Sequence, residues 1–386
     1  MTFSSEQQAT RRQALRFVTL CGASLAIAAC TAKPGPLVQQ KPIDTVTRPM
    51  TPSQVEQRHL VAVIVPLTGP DAGVGTSLSN AANLALLDSG ETNIRLSVYD
   101  SAGPGGAAAA TRNALQDGAG LILGPLLAEN VTQTLPLARA AKVPVISFSN
   151  DERVAGNGAY IMGLTPRQSI DRTMAYLKGQ GVTDVAGMTP TGIYGARAAQ
   201  SLIDASREAQ VSVTAMESYD RSAESVTSAA GRLSAKGGYQ AVLIGDSGRI
   251  AAFAAPKLSS ARLFGTELWS TDKELGQTPA LRGAVYSTVS DAYFNQLVGH
   301  YRQRYDKSPF RLASLGYDAV LLAVRAAKDW PIGTPFPQAV LLDADGFGGV
   351  DGSFRFKRSG VAERLLEVRE VTAGGTKVVA PAKTAF

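Results

Sequence analysis

Two doubly wound α/β lobes are predicted from this sequence, on three observations. Short apolar, β-branched runs alternate with segments of helical period. The series runs its course and begins again near residue 160, dividing a chain of 386 residues that is too long for one core. Each strand passes to a helix before the next strand starts, an order that argues a parallel sheet covered on both faces.

In the first series "HLVAVIVPL" (59–67) reads as a strand ended by Pro66, and "GTSLSNAANLALLDSG" (75–90) as a helix stopped by Gly90. The pair recurs as "IRLSVYD" with "GGAAAATRNALQDG", then as "GLILG" with "NVTQTLPLARAAK", and closes on the strand "VPVISFS". In the second series "YIMGL" precedes "PRQSIDRTMAYLKGQG", "DVAGMTP" precedes "YGARAAQSLIDASREAQ", "VSVTAMESYD" precedes "SAESVTSAAGRLSAKG", and "AVLIGDS" precedes "GRIAAFAAPKL". After "ARLFGTELWS" come a strand-like "GAVYSTVS" and two long helical stretches, "AYFNQLVGHYRQRY" and "RLASLGYDAVLLAVRAAKDW". Several crossings between two such lobes make a hinged cleft, and ligands bind where parallel strands end at a cleft.

Hydrophobic residues at 45% and charged residues at 18% describe an ordinary globular chain. The net charge of +6 is spread rather than clustered, so no nucleic-acid footprint is expected. The first 29 residues read as a lipoprotein signal peptide: Arg11, Arg12 and Arg16 form the basic region, and "VTLCGASLAIAAC" the short apolar one. That run is shorter than the about 20 residues of a membrane span. Ile27-Ala28-Ala29-Cys30 has the form of a lipobox, making Cys30 the lipidation site and the membrane anchor. Arg11-Arg12 also resembles a twin-arginine signal, which leaves the export route open. Thr31, a non-acidic residue after the anchor, favours outer-membrane retention and a periplasmic body. Residues 30–57, rich in Pro, Thr and Gln without apolar period, read as a flexible tether.

Catalytic motifs are weak. Gly245-Asp246-Ser247-Gly248 has the look of a protease serine segment, but only His59 and His300 exist as bases, and neither is placed by sequence beside it. Asp246 or Ser247 is better read as a cap at a strand-to-helix turn. "GPDAGVGTS" (69–77) lacks the spacing of a nucleotide loop and reads as a glycine-permitted turn, open to an anion at the following helix. Two distant His and a lipidated Cys form no zinc set, so neither metal nor cofactor is expected. Tyr194 falls where a strand hands over to its helix and either enters the cleft or packs the hinge. Glu267 follows another strand and either accepts from a ligand cation or is solvated. Trp269 reads as core before cleft wall.

Taken together, "VAVIVPLTGPDAGVGTSLSNAANLAL", "IRLSVYDSAG", "LILGPLL", "VPVISFS", "YGARAA" and "FRLASLGYDAVLLA" resemble the type I periplasmic binding proteins of the branched-chain amino-acid class, over about residues 59–372. The resemblance implies two Rossmann-like lobes joined by a three-strand hinge in one domain, 58–372. Lobe 1 would hold about 58–160 and 285–341, lobe 2 about 161–284 and 342–372, with 373–386 as a tail. In such proteins first-lobe hydroxyls and amides hold the ligand carboxylate, and a second-lobe Tyr and acid complete the site. The matching loop here reads Pro125, Leu126, Leu127, Ala128, Glu129, Asn130, without the Ser/Thr run. Ser149 and Asn150 remain as donors; Tyr194 and Glu267 match the aromatic and acidic contributors. The candidate cleft is therefore Ala128, Glu129, Asn130, Ser149, Asn150, Tyr194, Asp246 and Glu267.

"GPLLAENV" further resembles the "GPLL…NV" loop of penicillin-binding protein activators, the LpoA-type lipoproteins. That resemblance implies a non-catalytic, lipid-anchored protein that touches a penicillin-binding protein, a peptidoglycan synthase. The alternative is an ABC transporter substrate-binding protein that holds a branched-chain or other amino acid and meets a permease.

Overall fold

A computed structural model describes residues 58–386. The leader, Cys30 and the tether lie outside the described residues.

The first sheet has the order β2-β1-β3-β4-β5, all parallel: β1 (His59–Val65), β2 (Ile94–Asp100), β3 (Ala119–Leu123), β4 (Val145–Ser147) and β5 (Ala159–Ile161). Central β1 is buried along its whole length, which explains why it reads as an unbroken apolar run rather than an alternating one. Between its strands run α1 (Ala72–Ser89), α2 (Gly106–Gln116) and α3 (Ala128–Ala140).

The second sheet repeats that order and extends it. β6 (Asp184–Pro190), β7 (Ser212–Tyr219), β8 (Ala241–Ile244), β9 (Arg262–Gly265) and β10 (Val285–Thr288) run as β7-β6-β8-β9-β10, and β14 (Glu367–Thr372) and β15 (Gly375–Ala380) continue the sheet antiparallel. α4 (Pro166–Gly179), α5 (Ile193–Ala209), α6 (Ala223–Lys236) and the short α7 (Gly248–Ala254) belong to this lobe. In both sheets the strand order reverses beside the first strand of the series, so each lobe has its switch point at the ends of β1 and β3 or of β6 and β8. Matching glycines seat the matching helices. A Cβ on Gly75 of α1 would stand 1.7 Å from the Pro66 carbonyl oxygen, and one on Gly195 of α5 1.6 Å from that of Pro190.

Several sequence expectations need correction. β10 does not begin the return to lobe 1: its VYST stretch is buried and pairs with β9 and β14, so the crossing follows Thr288 instead of starting at 285. Residues 342–364 do not join lobe 2. Phe347, Phe354, Phe356 and Ala362, on the small sheet of β11 (Phe347–Gly349), β12 (Gly352–Phe356) and β13 (Ala362–Arg364), share a core with Val61, Leu78, Ile146 and Phe148. The stretch 373–386 is not merely a tail, because β15 is the edge strand of the second sheet. Gly73 and Gly75 lie inside α1, not in a preceding loop.

Between Thr288 and the small sheet lie α8 (Ala292–Tyr305) and α9 (Ala313–Ala327), and α9 packs along α1. The chain thus passes between sheets three times, after Ile161, after Thr288 and after Arg364. Charged pairs lace these crossings. Arg364 Nη2 donates to the Met162 carbonyl at 2.9 Å, Arg369 Nη1 to Asp291 at 2.7 Å, and Arg311 Nη1 to Asp351 at 2.7 Å. Buried Asp318 accepts from the backbone N–H of Val350 and Asp351, and burial together with the nearby Asp351 charge raises its pKa.

Candidate functional site

The ends of β4 and β6 bring the two lobes together. Asn150, just beyond β4, meets Arg197 on the second turn of α5: Arg197 Nη1 donates to the Asn150 carbonyl at 3.0 Å and approaches its Oδ1 at 3.4 Å. Beside this bridge lies an interlobe cavity of about 580 Å³, within the size range of small-molecule sites. Lobe 1 supplies residues 150–153; lobe 2 supplies the first turn of α4 and one face of α5, including Gly192, Ile193 and Arg197.

On the lobe 1 side Ser147 is fully engaged by the chain itself, and Ser149 as an acceptor. Ser147 Oγ donates to the Pro125 carbonyl at 2.7 Å and accepts from the Ser149 N–H at 3.0 Å. Ser149 Oγ accepts from the Asp151 N–H at 3.1 Å and is buried. This local ladder fixes the turn after β4; Ser149 keeps its hydroxyl proton to donate but does not border the cavity. Ala128, Glu129 and Asn130 form the first turn of α3, with Glu129 exposed at its positive end, and none of them borders the cavity. Asp151 is held below the ordinary carboxylate range, first by the Arg153 side chain, which forks it at 3.0 and 2.7 Å.

On the lobe 2 side Tyr194 and Glu267 do come together. The Tyr194 hydroxyl donates to Glu267 Oε1 at 3.0 Å and lies 2.9 Å from Thr266 Oγ1, which is free to donate in return. Burial pushes the Glu267 carboxyl up to about 7, against the Tyr194 bond and the Arg197 charge, which favour ionisation. Burial and the Glu267 charge raise the Tyr194 hydroxyl well above its ordinary range. Glu267 Oε2 is buried without a hydrogen-bond partner. Asp246 sits apart from this pair. Its Oδ2 accepts from Arg221 Nε at 2.8 Å, its Oδ1 from the Ser247 N–H at 2.8 Å, and its carbonyl from Trp269 Nε1 at 3.0 Å. Trp269 is fully buried, as core. Ser247 stands at the cap position of α7 but makes no side-chain cap bond; the turn is held by the Asp246 carboxylate.

Of the eight candidates, then, only Asn150 lines the cavity, while Tyr194 and Glu267 form a pair on the adjoining side of α5. Arg197 is the residue that sequence reasoning missed. Its signal was available in "YGARAA": a cation one helical turn after Tyr194 shares that residue's side of the helix. Among the described residues no cluster of His, Cys, Asp and Glu is arranged to hold a metal ion, and no helix is long and apolar enough to cross a membrane.

A family model described as periplasmic binding protein matches residues 60–376. Among curated proteins the chain is similar to the uncharacterized protein RP748 of Rickettsia prowazekii, 24% identical over 180 residues, which are 46% of this chain and 48% of the relative. The chain thus spans about half the length of the curated relative that it matches. Among solved structures it is similar to a Rhodospirillum rubrum protein proposed to serve branched-chain amino acid ABC transport, with a TM-score of 0.73, 21% identity, and coverage of 83% of this chain and 100% of that one. It is similar also to an ABC transporter substrate-binding protein of Desulfitobacterium hafniense in complex with Leu (TM-score 0.65, 17% identity, 83% and 100% covered). A solute-binding protein of an ABC transporter from Rhodopseudomonas palustris, in complex with 3,4-dihydroxybenzoic acid, matches at TM-score 0.64 and 18% identity, with 86% and 97% covered. At these identities the structures share the two-lobed fold with this chain.

Proposed function

The chain belongs to the periplasmic binding protein family, and on that premise we propose that it is a solute receptor, holding an amino acid or a related small molecule between its lobes for an ABC permease. The observation that carries this reading is the cavity of about 580 Å³ bounded by both lobes at the ends of parallel strands. The Tyr194–Glu267 pair supports it: a buried carboxylate with one unpartnered oxygen is the group that would accept an ammonium. Neighbours of the same fold bind Leu in one case and 3,4-dihydroxybenzoic acid in another, solutes of a size that suits the cavity. Under this reading the protein works outside the cytoplasmic membrane as a binding protein and not as an enzyme, with Cys30 as its lipid anchor and the outer membrane as its seat. Thermal melts of the full-length protein against a panel of amino acids and aromatic acids test it. A true solute raises the melting temperature with concentration as mass action requires. No shift with any member of the panel counts against the receptor reading.

A second reading, activation of a penicillin-binding protein through a surface contact, is favoured by the first-lobe loop. Residues 125–130 offer no hydroxyl, Ser147 is engaged within the chain, and Ser149 does not border the cavity. It predicts that the full-length protein co-purifies with a peptidoglycan synthase and raises its glycan polymerisation, with no dependence on added solute.

A further inference from the structure

The three arginines that line the interlobe cavity have unlike surroundings. Arg153 forks Asp151, and Arg167 meets Asp171 at 2.7 Å and Glu208 at 2.6 Å. Arg197 has a neutral carbonyl as its nearest acceptor, and the closest carboxylate, Asp151 Oδ1, stands 3.8 Å away and is already shared with Arg153. Its Nε is buried and meets no acceptor.

We propose that Arg197 receives the carboxylate of the bound solute, a task for which residues 125–130 of the lobe 1 loop offer no hydroxyl and for which Ser149 does not border the cavity. The proposal rests on the solute-receptor reading above and adds the chemical class of the ligand and the residue that selects it. A guanidinium presents paired donors matched to a carboxylate, and such charge-assisted bonds are roughly twice as strong as neutral ones. The surroundings favour an anion. Gly192 and Ile193, at the positive end of α5, line the same cavity, and the Gly192 cap makes no side-chain bond to the free N–H groups there. The position is also fixed from the opposite lobe, since the Asn150 carbonyl holds Nη1 and so aims the guanidinium only when the lobes are together.

Paired ligands test this. Binding of L-leucine, L-isoleucine, L-glutamate and benzoate to the full-length chain is measured by calorimetry beside binding of the corresponding carboxamides. The wild type is expected to prefer acid over amide by roughly tenfold or more. Arg197→Met should bring that ratio close to one, and Arg197→Lys, which keeps the charge without the fork, should leave an intermediate ratio. If Arg197 merely latches the lobes, Arg197→Met loses acid and amide affinity alike and the ratio stays put, which overturns the proposal. Unchanged acid binding by Arg197→Met also overturns it while leaving the receptor reading intact. If that variant fails to fold, the Arg197→Lys ratio decides, and a wild-type ratio there sinks the inference. Failure of the wild type to bind any of the eight probes removes the receptor reading for this class and the inference with it.

Discussion

Tyr194 and Glu267, 73 positions apart in the chain, share a hydrogen bond of 3.0 Å that joins the first turn of α5 to the loop after β9. The bond joins the connections after β6 and β9, across the intervening β8, and it ties a phenol to a carboxylate that burial has made expensive to ionise. Sequence placed both residues at strand ends; only the fold makes them a unit.

The Glu267 carboxyl makes stability depend on pH. Its folded-state value of about 7 lies above its ordinary 4.5, so between these the native state keeps a proton that the unfolded chain releases. Stability therefore falls as pH rises through that window. Buried Asp318 adds a slope of the same sign, so Glu267→Gln should make the profile shallower by one proton's share and, at pH 8, leave the variant more stable than wild type by up to about 3 kcal/mol. Urea unfolding at pH 5 and pH 8 reads this directly; parallel profiles for the two proteins would contradict it.

Tyr194→Phe should cost most where Glu267 is charged. The hydroxyl donates to Oε1, and a hydrogen bond to a charged group contributes about 1.5 to 3 kcal/mol. At pH 8 the loss is expected in that range, shrinking toward pH 5 as the carboxyl takes up its proton. A double-mutant cycle with Glu267→Gln isolates the pair. A coupling energy that does not change between the two pH values would show that the bond is not charge-assisted.

Much of the architecture was legible because strands buried on both faces read as unbroken apolar runs and helices as 3.6-residue periods; β1 and α4 are examples. What failed was lobe assignment after residue 285. The run VYST announces a strand but not its partner, and the partners of β10 are β9 and the distant β14. Phe347, Phe354 and Phe356 announce burial but not which core they enter. The site was harder still. Ser149 keeps a proton to donate, but its acceptance from the Asp151 N–H is a turn geometry that composition does not reveal, and the turn sets it off the cavity lining. Arg197 looked like one more solvated helix cation because its partner, Asn150, lies 47 residues earlier and in the other lobe.

Arg364 should prove a keystone of the hinge. Nearly all of it is buried, its Nη2 reaches the Met162 carbonyl on another crossing, and its charge lies within electrostatic reach of Asp318 and Asp351. Arg364→Met would remove the charge-assisted bond to Met162 and leave Asp318 without that cation, while Asp351 keeps Arg311, a change that costs about 1.5 to 3 kcal/mol. Adding Asp318→Asn removes the carboxyl left without its cation and should recover part of the loss. Chemical denaturation of the single and double variants checks both statements; a double variant no better than the single one would place the cost elsewhere.

The helix-seating Gly195 makes the last prediction, and an internal control sharpens it. A Cβ at Gly195 would stand 1.6 Å from the Pro190 carbonyl oxygen, a clash that only backbone movement relieves. Gly195→Ala should therefore destabilise by at least about 2 kcal/mol, in the range of overpacked cores. Gly231, in the interior of α6, has an ordinary helical setting, and a Cβ added there would meet nothing within 4 Å. Gly231→Ala should stabilise by up to about 1 kcal/mol, the helix-propensity difference between the two residues. Thermal or urea unfolding of both variants should give opposite signs. The same sign for both would mean that α5 does not sit against the end of β6 as closely as the pairing of Gly195 with Pro190 requires.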